Sequence, residues 1–159
     1  MSSFLSYPWT MVTGDHDRWM GAWLALLRTH ARLWDQLEAQ MRRDHGLTIS
    51  RYDVLTQLDS AGGRLRLSEL ASSVVLSPSG LSKLLDRMEA SELIRREPDP
   101  RDARSTFAAI TPRGRALVKK ARRGHHKLLQ QRFGDALDDG DVADLTRIIG
   151  RIDASLSNG

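Results

Sequence analysis

The sequence predicts a mainly α-helical chain with one small β-hairpin, and three observations carry that reading. A long apolar seam at helical spacing runs from Met20 to Met41. Two short, capped helical stretches follow between about residues 68 and 89. Two β-prone segments, Leu93–Glu97 and Ser105–Ile110, then flank Asp99-Pro100-Arg101-Asp102-Ala103-Arg104, where the chain must turn.

The length and composition agree. At 159 residues, 40% hydrophobic and 28% charged, the chain is expected to make one globular domain, or one domain with a helical extension. The net charge of +4 suits a polyanionic partner only weakly. Its distribution is more telling: residues 101–133 hold ten Lys or Arg against the single acid Asp102, whereas residues 134–159 hold six Asp against Arg147 and Arg151. Solvated helix faces would explain this, as would a nucleic-acid face followed by a helix-packing or acidic outer part. With no cysteine, disulfides, thiolate metal sites and thiol redox sensing are excluded, and a reducing, cytoplasmic setting is expected. No apolar run approaches the ~20 residues that span a bilayer, so no membrane partner is expected. Residues 1–14 read as a flexible arm carrying Trp9, without the basic and apolar regions of a secretory signal.

The elements follow in order. Asp15 or Asp17 can cap a first helix running to residue 44 or 45. Met20, Trp23, Leu27, His30, Trp34, Leu37 and Met41 alternate three- and four-residue steps, a heptad seam flanked by Leu24 and Ala31. Such a seam exceeds what a small core needs, so dimerisation is expected ahead of intrachain packing. Gly46 stops the helix. Ser50 is expected to cap a second helix through Tyr52, Val54, Leu55 and Leu58, broken at Gly62-Gly63. Arg64–Leu67 alternates as a short strand, and Ser68 is expected to cap a third helix. Ser77 caps a fourth, with Pro78 at its first position, where a missing N–H costs nothing. Leu81, Leu84, Leu85 and Met88 form its apolar stripe. Ser79, Lys83 and Asp86 lie nearly opposite, with Ser82 and Arg87 on the flanks. After the hairpin, Thr111-Pro112 opens a fifth helix to about Gln131, and Asp138 or Asp139 opens a sixth with Val142, Leu145, Ile148, Ile149, Ile152 and Leu156.

A tight helix pair followed by a two-stranded hairpin is a winged helix-turn-helix, here extended by long helices at both ends. In that architecture the N-terminal part of the second helix of the pair meets base edges in the major groove. Ser77, Ser79 and Ser82 offer hydroxyls and let the helix approach closely; Lys83 and Arg87 offer cations to phosphates or guanines. Ser77 reads equally well as a cap alone. Arg101 at the hairpin tip suits a minor groove, and Arg104 suits DNA or the loop itself. Asp99 and Asp102 are suited to fixing the loop, Asp99 by accepting backbone N–H groups and Asp102 by pairing with an arginine.

Leu81-Ser82-Lys83-Leu84-Leu85-Asp86-Arg87-Met88-Glu89, Leu93-Ile94-Arg95-Arg96, Asp99-Pro100-Arg101-Asp102-Ala103-Arg104 and Thr111-Pro112-Arg113-Gly114 together resemble the MarR family of winged-helix regulators, as does Gly46-Leu47-Thr48 leading into Tyr52-Asp53-Val54-Leu55. The likeness runs from about Trp19 to Leu156. It implies one domain over residues 1–159, with dimerisation helices at 15–45 and 112–157 and a DNA-binding lobe at 46–111. It also implies a homodimer on a pseudo-palindromic double-stranded operator, with wing arginines in flanking minor grooves. Ser91-Glu92 departs from the family, which often has a glycine turn there. The lack of cysteine rules out the family's peroxide-sensing mechanism.

The resemblance further implies release, in most cases of a repressor, by a small aromatic or anionic ligand. Trp19, Trp23, His30, Trp34 and Tyr52 are candidates to line its cleft, although each reads as readily as a core or seam residue. Asp53 and Arg87 are candidates for a sensing pair or a plain salt bridge between lobes. The five histidines show no i,i+4 ligand spacing and no accompanying carboxylate, so no metal or other cofactor is expected. No nucleophile elbow, phosphate-binding glycine loop or catalytic carboxylate pair is present, so no enzyme activity is expected. The alternative reading is a nonspecific architectural DNA binder.

Overall fold

A computed structural model describes residues 18–74, 76–99 and 102–157, and the side chains of Arg18, Ala103 and Arg104 are outside the description. The elements are α1 (Arg18–His45), α2 (Ile49–Ser60), β1 (Arg64–Arg66), α3 (Leu67–Ser73), α4 (Pro78–Ala90), β2 (Ile94–Asp99), β3 (Asp102–Ile110), α5 (Pro112–Arg132) and α6 (Asp139–Ser157). The order and kind of every expected element hold. One short 3-10 turn, Gly134–Ala136, adds to them. The N-terminal arm and both candidate caps of α1 fall outside the described residues. No described helix is long and apolar enough to cross a membrane.

By compactness the chain divides into residues 1–36 and residues 37–159. The described part of the first unit is the N-terminal portion of α1. Trp19, Trp23, Leu26, Leu27 and Trp34 are exposed on it, Trp19 by 65%, and His30 packs against Trp34 at 5.8 Å between ring centroids.

The second unit builds its core from the end of α1, from α2, α3, α4 and α5, and from the sheet. Met41, Val54, Leu55, Leu58, Leu70, Met88 and Val118 are fully buried in it. The sheet order is β1-β3-β2, all antiparallel, so the hairpin is joined by a third strand. Arg66 sits opposite Phe107 on one side of β3, and Glu97 sits opposite it on the other. The register shifts between Pro98 and Asp99, and Asp99 then pairs with Asp102 across the tip.

Local chemistry explains the boundaries. Gly46 adopts φ 65°, and its N–H donates to the Arg42 carbonyl, closing α1. The cap of α2 is Thr48 rather than Ser50: its hydroxyl accepts from the Arg51 N–H. The helix starts at Ile49, one residue ahead of the expected hydroxyl, because Ile49 is drawn into the core and its N–H donates to Glu38 at 2.6 Å. Ser68 does not cap α3 either. It lies in the first turn, and the Glu69 carboxylate instead accepts the N–H of Arg66 at 3.0 Å. Thr111 caps α5 by accepting from the Gly114 N–H. Asp138 and Asp141 accept each other's backbone N–H groups at the start of α6. At the exit of α4, Glu92 takes the left-handed conformation at φ 55°, so the turn that glycine would favour is made by a residue with a Cβ.

Candidate nucleic-acid interface

The helix-turn-helix is α3, a short turn and α4. Ser77 caps α4, its Oγ accepting the Gly80 N–H at 3.2 Å and lying 3.5 Å from the Ser79 hydroxyl. The cap and Pro78 set the start of α4, and burial of Leu81, Leu85 and Met88 sets its rotation. Ser77, Ser79, Ser82, Lys83, Asp86 and Arg87 are left at the surface. The sequence-predicted reading face is therefore assembled on one helix, with its positive dipole end at the serines. Leu84 departs from the expected stripe, being only half-buried.

Arg96 on β2 fixes this helix against the wing. Its guanidinium donates to Glu89 and to Asp86, each at 2.7 Å, and its N–H donates to the other Glu89 oxygen at 2.8 Å. Burial of Arg96 works against its charge, but the two carboxylates outweigh that and hold the guanidinium above its ordinary pKa. Asp86, exposed on the same face of α4 as Lys83, thereby shares one counter-ion with Glu89.

At the wing, Asp99 is only 5% exposed and receives a hydrogen bond from Arg66 at 2.7 Å. Asp102 receives one from the Ser105 hydroxyl at 2.7 Å. Arg101 and the side chain of Arg104 lie outside the described residues.

The candidate ligand residues divide between the two units. Trp19, Trp23, His30 and Trp34 belong to the first. Tyr52 and Asp53 belong to the second, where Tyr52 is buried against the His125 ring at 4.7 Å. Burial raises the Asp53 carboxyl above the usual aspartate range, against a hydrogen bond with Gln57 that lowers it. The Asp53–Arg87 pair is not formed. Asp53 is engaged with Gln57 on its own helix, and the Arg87 Nε donates to the Lys83 carbonyl one turn back at 3.1 Å.

Sequence reasoning missed a cavity of about 670 Å³ on the flank of α4, lined by Arg42, Arg51 and Arg87 with Glu38, Thr48 and Leu84. Glu38 is committed to the Arg42 side chain at 2.7 Å and to the Ile49 N–H. Among the described residues neither Arg51 nor Arg87 forms an ion pair, so the cavity is cationic. Spacing gives no hint of it, since its arginines come from three helices. A hint lies in Arg51, a cation in the first turn of α2 where the dipole disfavours one.

A sequence profile of the MarR family matches residues 47–106. The structure is similar to that of AbsC, a MarR family transcriptional regulator from Streptomyces coelicolor, with a TM-score of 0.84 and 31% identity over 92% of this chain and 98% of that one. The chain belongs to the MarR family. It is thus a winged helix-turn-helix, DNA-binding transcriptional regulator and not an enzyme. A second MarR regulator from Streptomyces coelicolor, Sco3205, solved in complex with DNA, is 29% identical over 86% of each chain, with a TM-score of 0.82. Among sequences, the chain is 40% identical over 93 residues to YxaD, an uncharacterized HTH-type transcriptional regulator of Bacillus subtilis (strain 168). That match spans 58% of this chain and 64% of YxaD, just under two thirds of the relative's length.

Proposed function

We propose that this MarR regulator acts as a homodimer on a pseudo-palindromic operator and that a small anionic or aromatic ligand releases it. The exposed face of α4 carries the DNA reading: Ser77, Ser79, Ser82, Lys83 and Arg87 project from one rigidly packed helix. Arg101 and Arg104 extend the contact to flanking minor grooves, and Asp99 and Asp102 shape the loop between them. Two further observations support dimerisation through residues 15–45 and 112–157 of a single domain. Trp19, Trp23 and Trp34 on α1, and Val142, Ile148, Ile149, Ile152 and Leu156 on α6, are exposed on the single chain. Apolar area of that extent is uncommon on a monomer. The lobe at 46–111 would then meet DNA once per protomer in the cytoplasm.

The cationic cavity supports an anionic ligand. It adjoins the reading face, so a carboxylate between Arg51 and Arg87 would compete with an operator phosphate for the same charges. Trp19, Trp23, His30, Trp34, Tyr52 and Asp53 are kept as the aromatic alternative.

Operator selection followed by fluorescence anisotropy tests the reading. The selected site should outcompete unrelated DNA by at least ~10³-fold. Affinity should fall with salt at a log–log slope of about 0.9 per phosphate contacted. Equal competition by unrelated DNA would instead support an architectural binder. A panel of aromatic carboxylates should weaken operator binding in the native protein and not in Arg51→Ala.

A further inference from the structure

Arg66 occupies an unusual junction. It is the last residue of β1 and immediately precedes α3, so strand and helix meet at a single residue. Its backbone N–H is held by Glu69 of α3 at 3.0 Å. Its side chain runs the other way, across the sheet. The guanidinium lies over the Phe107 ring of β3, 5.6 Å from the centroid, and donates to Asp99 of β2 at 2.7 Å. Arg64 covers the same ring at 4.8 Å. One residue therefore touches the first helix of the helix-turn-helix, the middle strand of the wing and the last residue of β2 before the tip.

The Asp99 end of this contact is not a surface ornament. The Asp99 side chain is 4% exposed, and a carboxylate that deeply placed must be matched by charge and hydrogen bonds. The register shift between Pro98 and Asp99 marks where the hairpin leaves regular pairing. Such irregularities redirect side chains and change strand direction. Asp99, the last residue of β2, is buried immediately after that shift.

Resting on the DNA-binding reading above, we propose that Arg66 is a positioning residue that latches the wing to the helix-turn-helix through Asp99. It sets the angle at which the tip meets the flanking minor groove while α4 sits in the major groove. The latch acts before DNA arrives. A tip already aimed loses less conformational freedom on binding than one that must be ordered by the DNA. Arg66 contributes to affinity through Asp99 and not as a phosphate ligand, and this distinguishes it from Lys83 or Arg51.

The test is a double-mutant cycle on the full chain with the selected operator, using Arg66→Gln, Asp99→Asn and the pair. Each single change should weaken binding by about tenfold, the scale of one segment newly ordered on association. The pair should be no weaker than the worse single variant. Hydroxyl-radical protection should fade at the two flanks, while protection of guanines in the central major grooves persists. Circular dichroism should show native helix content for Asp99→Asn, which removes a buried charge while Arg66, its side chain 43% exposed, stays hydrated. If Arg66→Gln fails to fold, the Asp99→Asn footprint alone decides. Asp99→Asn binding that equals or exceeds wild type would make Arg66 a direct DNA ligand and overturn the latch, as would additive losses in the pair. Arg101→Ala separates the two levels of inference. If Arg101→Ala costs affinity but Asp99→Asn does not, the latch falls and the wing reading stands; if Arg101→Ala costs nothing, the wing reading falls and takes the latch with it.

Discussion

Gly114→Ala, at a buried position in the first turn of α5, is expected to be among the more damaging single changes, and its cost can be worked from the contacts. A Cβ built on Gly114 would lie 2.2 Å from the Leu93 carbonyl oxygen, 3.1 Å from the Leu93 carbonyl carbon and 3.0 Å from Ile110 Cγ1. Backbone cannot rotate away as a side-chain tip can, so the start of α5 must back off from β2 by roughly 1 Å to reach van der Waals distance. The same Leu93 oxygen accepts both the N–H and the hydroxyl of Thr111, each at 3.1 Å. Moving it apart weakens the N–H bond, at about 1 kcal/mol, whereas the hydroxyl has its shorter bond, 2.7 Å, to the Glu92 carbonyl. Overpacking adds about 1–3 kcal/mol, giving a loss of about 2–4 kcal/mol. For a chain of this size that is a fall in Tm of roughly 10 °C. Urea unfolding at fixed protein concentration measures it directly, since dimerisation would make stability concentration-dependent. A loss under about 1 kcal/mol with an unchanged m-value would refute the argument that this glycine exists for close approach.

Other expectations are smaller. Glu92→Gly relieves a Cβ from the left-handed region but gives up an exposed bridge to Arg113, 3.0 Å long, and adds glycine's entropy cost. The net should be a gain of about 0.5 kcal/mol in urea unfolding. Arg96→Met strands Asp86 and Glu89 on α4 and should cost about 2 kcal/mol; Asp86→Asn in that background should restore part of the lost operator affinity. Asp53 is raised by burial, so its folded form binds a proton more readily than its unfolded form and is penalised at neutral pH. Asp53→Asn should therefore stabilise slightly at pH 7, an advantage that shrinks as pH falls and the carboxyl protonates. His125 runs the other way: burial first, then the charge of His126, lower its pKa. Its contribution to stability is present above the ordinary histidine value of about 6.5 and is lost as pH falls below it, through the lowered value of the folded state. His125→Asn should flatten that limb of the stability–pH curve in thermal melts.

The parts of the fold legible in the sequence are those fixed by neighbours within a few residues. Ser77-Pro78 and Thr111-Pro112 announce helix starts because cap and first turn are adjacent in the chain. Gly46 announces a stop because only its own φ matters. Caps are misread from sequence where two local solutions compete. Thr48 and Ser50 are both one turn from apolar residues, and the choice is made by Glu38, eleven positions from Ile49, reaching its N–H. The exposed face of α4 is legible because a buried stripe at helical spacing fixes rotation. The devices around it are not, since they join residues distant in sequence. Arg66 meets Asp99 33 positions away, and Arg115 and Arg122 converge on Asp59 from 56 and 63.

The basic run on α5 shows why charge counted along a chain misplaces an interface. Residues 101–133 hold ten cations, a density that by sequence suggests a nucleic-acid face. Within the fold, Arg113 pairs with Glu92, and Arg115 and Arg122 share Asp59, whose side chain is 11% exposed. These arginines bind α5 to the α4 exit and to α2, so that part of the basic run is spent on carboxylates of the protein itself. Among the described residues, those that keep an unmatched charge beside the reading helix are Lys83, Arg87 and Arg51, two of them from a helix whose net charge is zero by count. Arg96 shares its one positive charge between Asp86 and Glu89, so that α4 and Arg96 together carry a net +1, with Lys83 and Arg87 as the cations of the helix that no carboxylate pairs. The potential met by an approaching phosphate thus depends on which carboxylates the fold has already occupied, a property of pairing that no window of sequence contains.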